Sequence, residues 1–177
     1  MCFPGTANGG VALDECAVPA PISAYGQTKL LGEQYVERFC RRHFIVRTAW
    51  LYSSYGKNFV KTMIRLGRTH DKITVVNDQL GNPTNAVDLA YHILKLAVSH
   101  DYGIYHCTGN GICSWYDFAC ASCKAFSNRV KYCLSINLPL QGFPIVYCLL
   151  LAAIAISSVK IIIFVFPFLF ECVQALV

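Results

Sequence analysis

Ahead of Tyr25 the sequence has no apolar strand leading through a glycine-rich turn into a helix. That is the arrangement by which a dinucleotide's pyrophosphate is usually met at a helix N-terminus. Gly5, Gly9 and Gly10 occur there, but no apolar run precedes them and no helical periodicity follows, so Asn8-Gly9-Gly10 reads as a turn. No charged stretch followed by an apolar core and a small-residue cleavage site opens the chain, and a secretory signal is not expected. Charge is scarce at the other end. Of 15 Lys and Arg and 10 Asp and Glu, only Arg129, Lys131, Lys160 and Glu171 lie beyond residue 126. No basic stripe interleaved with aromatics is present, which argues against a nucleic-acid partner. A second Cys-x-x-Cys pair is also missing: Cys120 and Cys123 form one, with His106, Cys107 and Cys113 upstream. A structural zinc site usually wants two pairs. The ten cysteines are therefore read as reduced thiols of a cytosolic protein, and no metal is expected.

What is present starts with Tyr25-Gly26-Gln27-Thr28-Lys29. Residues at i and i+4 share a helix face, so an ammonium can sit beside a phenol and favour its ionised form. A phenol so tuned can hand a proton to a carbonyl oxygen near neutral pH. On its own the spacing also fits an ordinary solvated helix face, and the neighbouring residues carry the argument further.

Those neighbours run in order: PAPISAYGQTKLLGE from Pro19 to Glu33, FIVRTAWLY from Phe44 to Tyr52, and GKNF from Gly56 to Phe59. After them come VVNDQLGNPT from Val75 to Thr84, DLA from Asp88 to Ala90, and GIYHCTG from Gly103 to Gly109. The ordered series, from about residue 3 to about residue 119, resembles dTDP-4-dehydrorhamnose reductase of the extended short-chain dehydrogenase/reductase superfamily. The resemblance implies NADPH- or NADH-dependent reduction of the C4 ketone of dTDP-4-dehydro-L-rhamnose to dTDP-L-rhamnose. It implies Tyr25 as general acid, with Lys29 tuning it and holding the nicotinamide ribose hydroxyls, so that both residues are catalytic and cofactor-binding. For the substrate it implies Trp50, Asn58 and Gln79; a half-buried aromatic at a strand end is the alternative for Trp50.

The fold expected is α/β, a partial Rossmann-like fold without its N-terminal glycine-rich half, with part of the substrate-binding domain and an apolar C-terminal tail. In the family a hydroxyl residue of the catalytic trio precedes a turn like that at Phe3-Pro4-Gly5, where this chain has Met1. The reading is thus of an N-terminally truncated reductase with impaired activity by itself. Two domains are expected: residues 1–126 as the partial reductase domain and 127–177 as the tail. A spanning helix needs roughly 20 apolar residues, and about 145–166 would supply one, interrupted by Lys160. Membrane anchor, frameshifted sequence without selected structure, and buried helix of a soluble domain are three open readings of the tail. The location is cytoplasmic by resemblance, or membrane-anchored if the tail spans. A non-catalytic sugar-nucleotide-binding or regulatory subunit and a membrane-tethered interaction protein remain as other classes, and the oligomeric state is not legible.

Local patterns predict a helix capped by Ser23 and running to about Arg42, with Leu31, Tyr35 and Phe39 on one face and Arg41-Arg42-His43 at its end. A strand is expected at His43–Tyr52, a helix at Asn58–Arg68, a strand at Lys72–Asn77 and a loop at Asp78–Thr84. Next come a helix at Ala86–Val98 burying Val87, Leu89, Ala90, Ile93, Leu94 and Ala97, a strand at Gly103–Cys107, and a helix opened by a Ser114/Asp117 capping box. Without upstream strands, the strand ending at Tyr52 is expected to show an exposed apolar edge.

Overall fold

The computed structural model describes residues 13–126, 132–136 and 160–164. They form two units, each folded around its own elements.

In the first unit, α1 (Ala24–Phe39) leads through a short loop into β1 (His43–Arg47). Ser23 starts the helix: its Oγ accepts the Gly26 amide proton at 3.1 Å, satisfying a donor that has no partner inside the helix. The helix ends at Phe39, three residues before the expected Arg42, so Arg38 is the cation in its last turn and Arg41-Arg42 belong to the loop. β1 is flanked by parallel partners on both edges. β6 (Gly103–His106) pairs with Phe44↔Gly103 through Arg47↔His106, and β9 (Lys160–Phe164) pairs with His43↔Lys160 through Arg47↔Phe164. The expected open edge is therefore absent at β1. Phe44, Ile45 and Val46 are wholly buried, as a continuous apolar run must be when both sheet faces are covered. From Leu89 onward, α3 (Ala86–Ala97) belongs to this unit and precedes β6.

The second unit holds β2 (Leu51–Tyr52), α2 (Phe59–Thr69), β3 (Lys72–Val76), β4 (Leu80–Gly81), β5 (Thr84–Asn85), β7 (Cys113–Ser114), α4 (Trp115–Phe126) and β8 (Tyr132–Ile136). β2 pairs with β5 and β3 with β8 in parallel; β4 pairs with β7 antiparallel. Trp50, Phe59, Met63, Ile73, Val75, Val76, Trp115, Ala119 and Cys123 make its core. The capping box at α4 is formed, with Ser114 N–H donating to Asp117 Oδ2 at 3.1 Å and Asp117 N–H to Ser114 Oγ at 3.0 Å.

Three expectations change. The single strand predicted over His43–Tyr52 is two, broken where Trp50 takes a left-handed φ of 46°. Of the six α3 residues expected inside, Leu89 alone is buried, while Val87 and Leu94 are 72% and 67% exposed. Leu31, Tyr35 and Phe39 share a face of α1, but it is the exposed one; Gly26, Glu33 and Val36 face inward. In the tail, Lys160–Phe164 of the 145–166 segment is a strand, and the rest of that segment lies outside the described residues. Among the described residues no helix is long and apolar enough to cross a membrane.

Candidate functional site

Tyr25 and Lys29 sit in the first two turns of α1, both half-buried, with Lys29 Nζ 5.2 Å from the centre of the Tyr25 ring. Their setting is fixed one turn further on. Glu33, 1% exposed, points from the same helix face into a bidentate pair with Arg47, the last residue of β1. Arg47 Nη2 donates to Glu33 Oε2 at 2.6 Å and Nε to Oε1 at 3.0 Å. The two-bond fork holds the carboxylate in one orientation.

The clamp also sets where the tyrosine goes. A short loop between α1 and β1 makes them antiparallel, so the helix N-terminus lies toward the carboxyl end of β1. With Glu33 held at that end and a helical rise of about 1.5 Å per residue, Lys29 and Tyr25 are carried roughly 6 and 12 Å further along the helix axis. The region beyond the carboxyl ends of parallel strands is where open α/β sheets take their ligands.

His106, at the carboxyl end of β6, extends the network. Its Nδ1 lies 3.1 Å from the Leu13 carbonyl and its Nε2 3.3 Å from Arg47 Nη1. Its Nδ1 thus faces an acceptor, and its Nε2 lies beside a guanidinium that can only donate. The His106 amide donates to Glu15 Oε1 at 2.8 Å, and this bond is the main reason the Glu15 carboxyl is held below its usual pKa.

The other three sequence-derived residues lie in the second unit. Trp50 is 5% exposed, and its ring is stacked on Trp115 with centroids 3.6 Å apart and planes 15° from parallel. It is more deeply buried than the half-buried strand-end aromatic that was the alternative to a substrate contact. Its other constraint is Gly81: a Cβ there would come within 2.7 Å of indole Cζ2. Asn58 is the N-cap of α2, its Oδ1 accepting from Lys61 N–H at 3.1 Å and its Nδ2 donating to Ser53 O at 2.7 Å. Gln79 is half-buried, and its carbonyl accepts from Trp115 N–H at 3.3 Å. The structure thus brings Tyr25 and Lys29 together in one unit, and places Trp50, Asn58 and Gln79 in the other.

Glu33, Arg47, His106 and Glu15 were given no role from the sequence. The available signal was Arg47 itself, a cation closing an apolar strand, with Glu33 one turn past Lys29. Among the described residues no group of three or more His, Cys, Asp or Glu is placed to hold a metal ion. The six described cysteines are free.

A helix carrying Tyr-x-x-x-Lys against a parallel sheet defines a Rossmann-like reductase fold, and solved reductases superpose on it. The chain belongs to the RmlD substrate binding domain family, whose sequence model matches residues 1–140. That match continues past residue 119, where the recognisable motifs stop, and takes in β8. The dTDP-4-dehydrorhamnose reductase of Escherichia coli K12 is 40% identical over 122 residues, covering 66% of this chain and 40% of that enzyme. A dTDP-4-dehydrorhamnose reductase from Bacillus anthracis, solved in complex with NADP, has a TM-score of 0.68 and 47% identity, over 70% of this chain and 44% of the other. The Clostridium acetobutylicum homologue gives 0.72 and 48%, over 77% and 47%. The chain therefore spans less than half the length of these relatives.

Proposed function

We propose that this chain carries the proton-donating side of an NAD(P)H-dependent reductase that converts the C4 ketone of dTDP-4-dehydro-L-rhamnose to the alcohol of dTDP-L-rhamnose. The observation that carries the reading is the Lys29 ammonium 5.2 Å over the Tyr25 ring, on a helix whose rotation is locked by Glu33 and Arg47. The names of the relatives and their chemistry support it.

The residues present fit one end of the cofactor. A half-buried ammonium with three N–H donors, beside a phenol, suits the ribose hydroxyls next to a nicotinamide. When bound, NAD(P)H supplies the hydride to C4. Tyr25 then gives its phenolic proton to the developing alkoxide, and Lys29 stabilises the negative charge left on the phenol oxygen. The Glu33–Arg47 clamp holds both side chains to one orientation, which is where fixed geometry contributes most to rate.

On the substrate side, we assign Gln79 as a polar contact. Asn58 is a support whose amide is engaged in the α2 cap, and Trp50 is a core residue of the same unit, stacked on Trp115. A left-handed non-glycine residue costs on the order of 1–2 kcal/mol, and Trp50 is kept there by its stack on Trp115. A cytoplasmic setting accords with the free thiols.

The test is to incubate the purified chain with NADPH and dTDP-4-dehydro-L-rhamnose, beside calorimetric titration with dTDP-L-rhamnose. The reading expects Tyr25→Phe to bind the product normally and to lower turnover by about 10²–10⁴. Binding without turnover in the unsubstituted chain would favour a sugar-nucleotide-binding module. Absence of both, or a Tyr25→Phe protein as active as its parent, would defeat the proposal.

A further inference from the structure

The stretch that carries Tyr25 is fastened on both sides to one register pair of the sheet. Arg47 and His106 stand opposite one another on the parallel strands β1 and β6, with Nη1 and Nε2 3.3 Å apart. Arg47 takes the Glu33 carboxylate, which follows Tyr25 on α1. His106 takes the segment that precedes it. Its amide donates to Glu15 Oε1 at 2.8 Å, and its Nδ1 lies 3.1 Å from the Leu13 carbonyl oxygen.

Between Glu15 and Tyr25 the chain has little freedom. Asp14 Oδ1 accepts the Cys16 amide proton at 3.1 Å and the Asp14 carbonyl accepts that of Ala17 at 3.2 Å, so Glu15 sits inside a closed turn. Pro19 and Pro21 follow; each fixes its own φ and holds the residue before it extended. The segment ends at Ser23, whose Oγ and carbonyl receive the Gly26 and Gln27 amides. A shift at Glu15 is therefore passed to the first turn of α1, which holds Tyr25.

We propose that Glu15 and His106 are positioning residues for Tyr25, tethering the segment ahead of α1 to the carboxyl end of β6 so that the phenol is presented from a fixed first turn. The inference rests on the reading of Tyr25 as proton donor. Glu33 and Arg47 lock the helix about two turns further along, beyond the reach of the first turn, whose amides have no acceptors within the helix. The tether supplies the second fixed point, and Tyr25 lies between the two. Proton transfer needs the phenol within hydrogen-bond reach of the substrate oxygen, and a displacement of about 1 Å is enough to cost on the order of 10²-fold in rate.

Amide hydrogen exchange of the full chain at pH 7 tests this, with substitutions at Glu15, an exposed position. Glu15→Ala should speed exchange at Gly26 and Gln27 about three- to tenfold, as the loss of one hydrogen bond on an exposed turn would. Cys40, whose amide closes the far end of α1 on the Val36 carbonyl, should keep its parent rate. Glu15→Gln leaves an acceptor oxygen in place and should restore Gly26 and Gln27. With NADPH and dTDP-4-dehydro-L-rhamnose, Glu15→Ala should lower kcat at nearly unchanged KM, and Glu15→Gln should recover it. Unchanged exchange at Gly26 and Gln27 overturns the proposal. So does equal acceleration at Cys40, which marks general loosening, a failure of Glu15→Gln to restore, or a kcat indifferent to the loosened turn. A parent chain without turnover counts against Tyr25 as donor, whereas the exchange rates still decide whether Glu15 fixes its turn.

Discussion

Glu33 and Arg47 form a two-bond ion pair, 2.6 Å at its shortest, between the middle of α1 and the end of β1. Tyr25, Lys29 and Glu33 occupy one helix face at steps of four, so the pair ties the candidate acid to the sheet through rigid secondary structure. Replacing Glu33 by Gln keeps the shape and removes the charge, leaving a guanidinium that is 11% exposed beside a neutral amide. Breaking one side of a buried pair costs about 3–5 kcal/mol. Urea denaturation should show Glu33→Gln losing stability on that scale. The double replacement Glu33→Leu/Arg47→Met should recover much of it, because both charges are then gone. An unchanged midpoint in the single variant would mean that the pair adds nothing to the fold.

Glu15 gives a pH dependence whose sign is fixed by its partners. The His106 amide is the chief cause of its lowered pKa, followed by its own amide; burial opposes them, and the His106 ring and Arg47 add smaller effects in the lowering direction. A folded-state pKa below the unfolded one means that the link is fully present above the usual value of about 4.5. It is lost as pH falls through the lower folded value. Hydrogen exchange at the His106 amide should therefore accelerate, beyond its intrinsic pH dependence, only below the ordinary carboxylate range. Glu15→Gln should flatten that response. Acceleration that begins near neutrality, or persists in Glu15→Gln, would assign the effect to another group.

Elements with strong local chemistry were legible in the sequence. Ser23 and the Ser114/Asp117 box each start the helix expected of them, because a cap is a contact between near neighbours. The inward faces were not legible for α1 and α3. Apolar residues at helical spacing say that a stripe exists, and they do not say whether anything covers it. On α1 the buried face is a glycine, a valine and a carboxylate, and the carboxylate is paid for by a strand residue that periodicity cannot see. The break at Trp50 was hidden for a similar reason: its left-handed backbone depends on Trp115 and Gly81, both distant in sequence. The pairing of β9 with β1 likewise joins segments more than a hundred residues apart. Of the candidate site, the Tyr25–Lys29 contact was readable because it is local, whereas the Glu33–Arg47 clamp that orients it was not.

Cys120 and Cys123 are three residues apart on α4 yet differ in surroundings. Cys123 is 4% exposed, with its Sγ 3.8 Å from the Met63 carbonyl. Burial, and secondarily Cys120, pushes its thiol pKa up from the usual 9.0. A raised pKa leaves less thiolate at neutral pH, and the thiolate is the reactive form. In labelling of the native protein with a thiol reagent at pH 7.5, followed by peptide mapping, exposed Cys16 should react early and Cys123 last. Fast labelling of Cys123, matching its rate in urea, would contradict the packing around α4.

Gly81 is held to glycine by the Trp50 indole. Any side chain there would begin with a Cβ 2.7 Å from Cζ2 and 2.8 Å from Nε1. The indole has little room to retreat, since Trp115 stacks on it and Phe118 lies beyond at a centroid distance of 6.3 Å. Overpacking a filled core costs about 1–3 kcal/mol, so Gly81→Ala should lower the denaturation midpoint accordingly. Near-ultraviolet circular dichroism should change as well, because the indole pair must separate or tilt. Trp50→Phe provides the control: a smaller ring leaves space for the new methyl. Gly81→Ala should therefore cost less in the Trp50→Phe background than in the parent, a coupling that strain at any other contact of Gly81 would not produce.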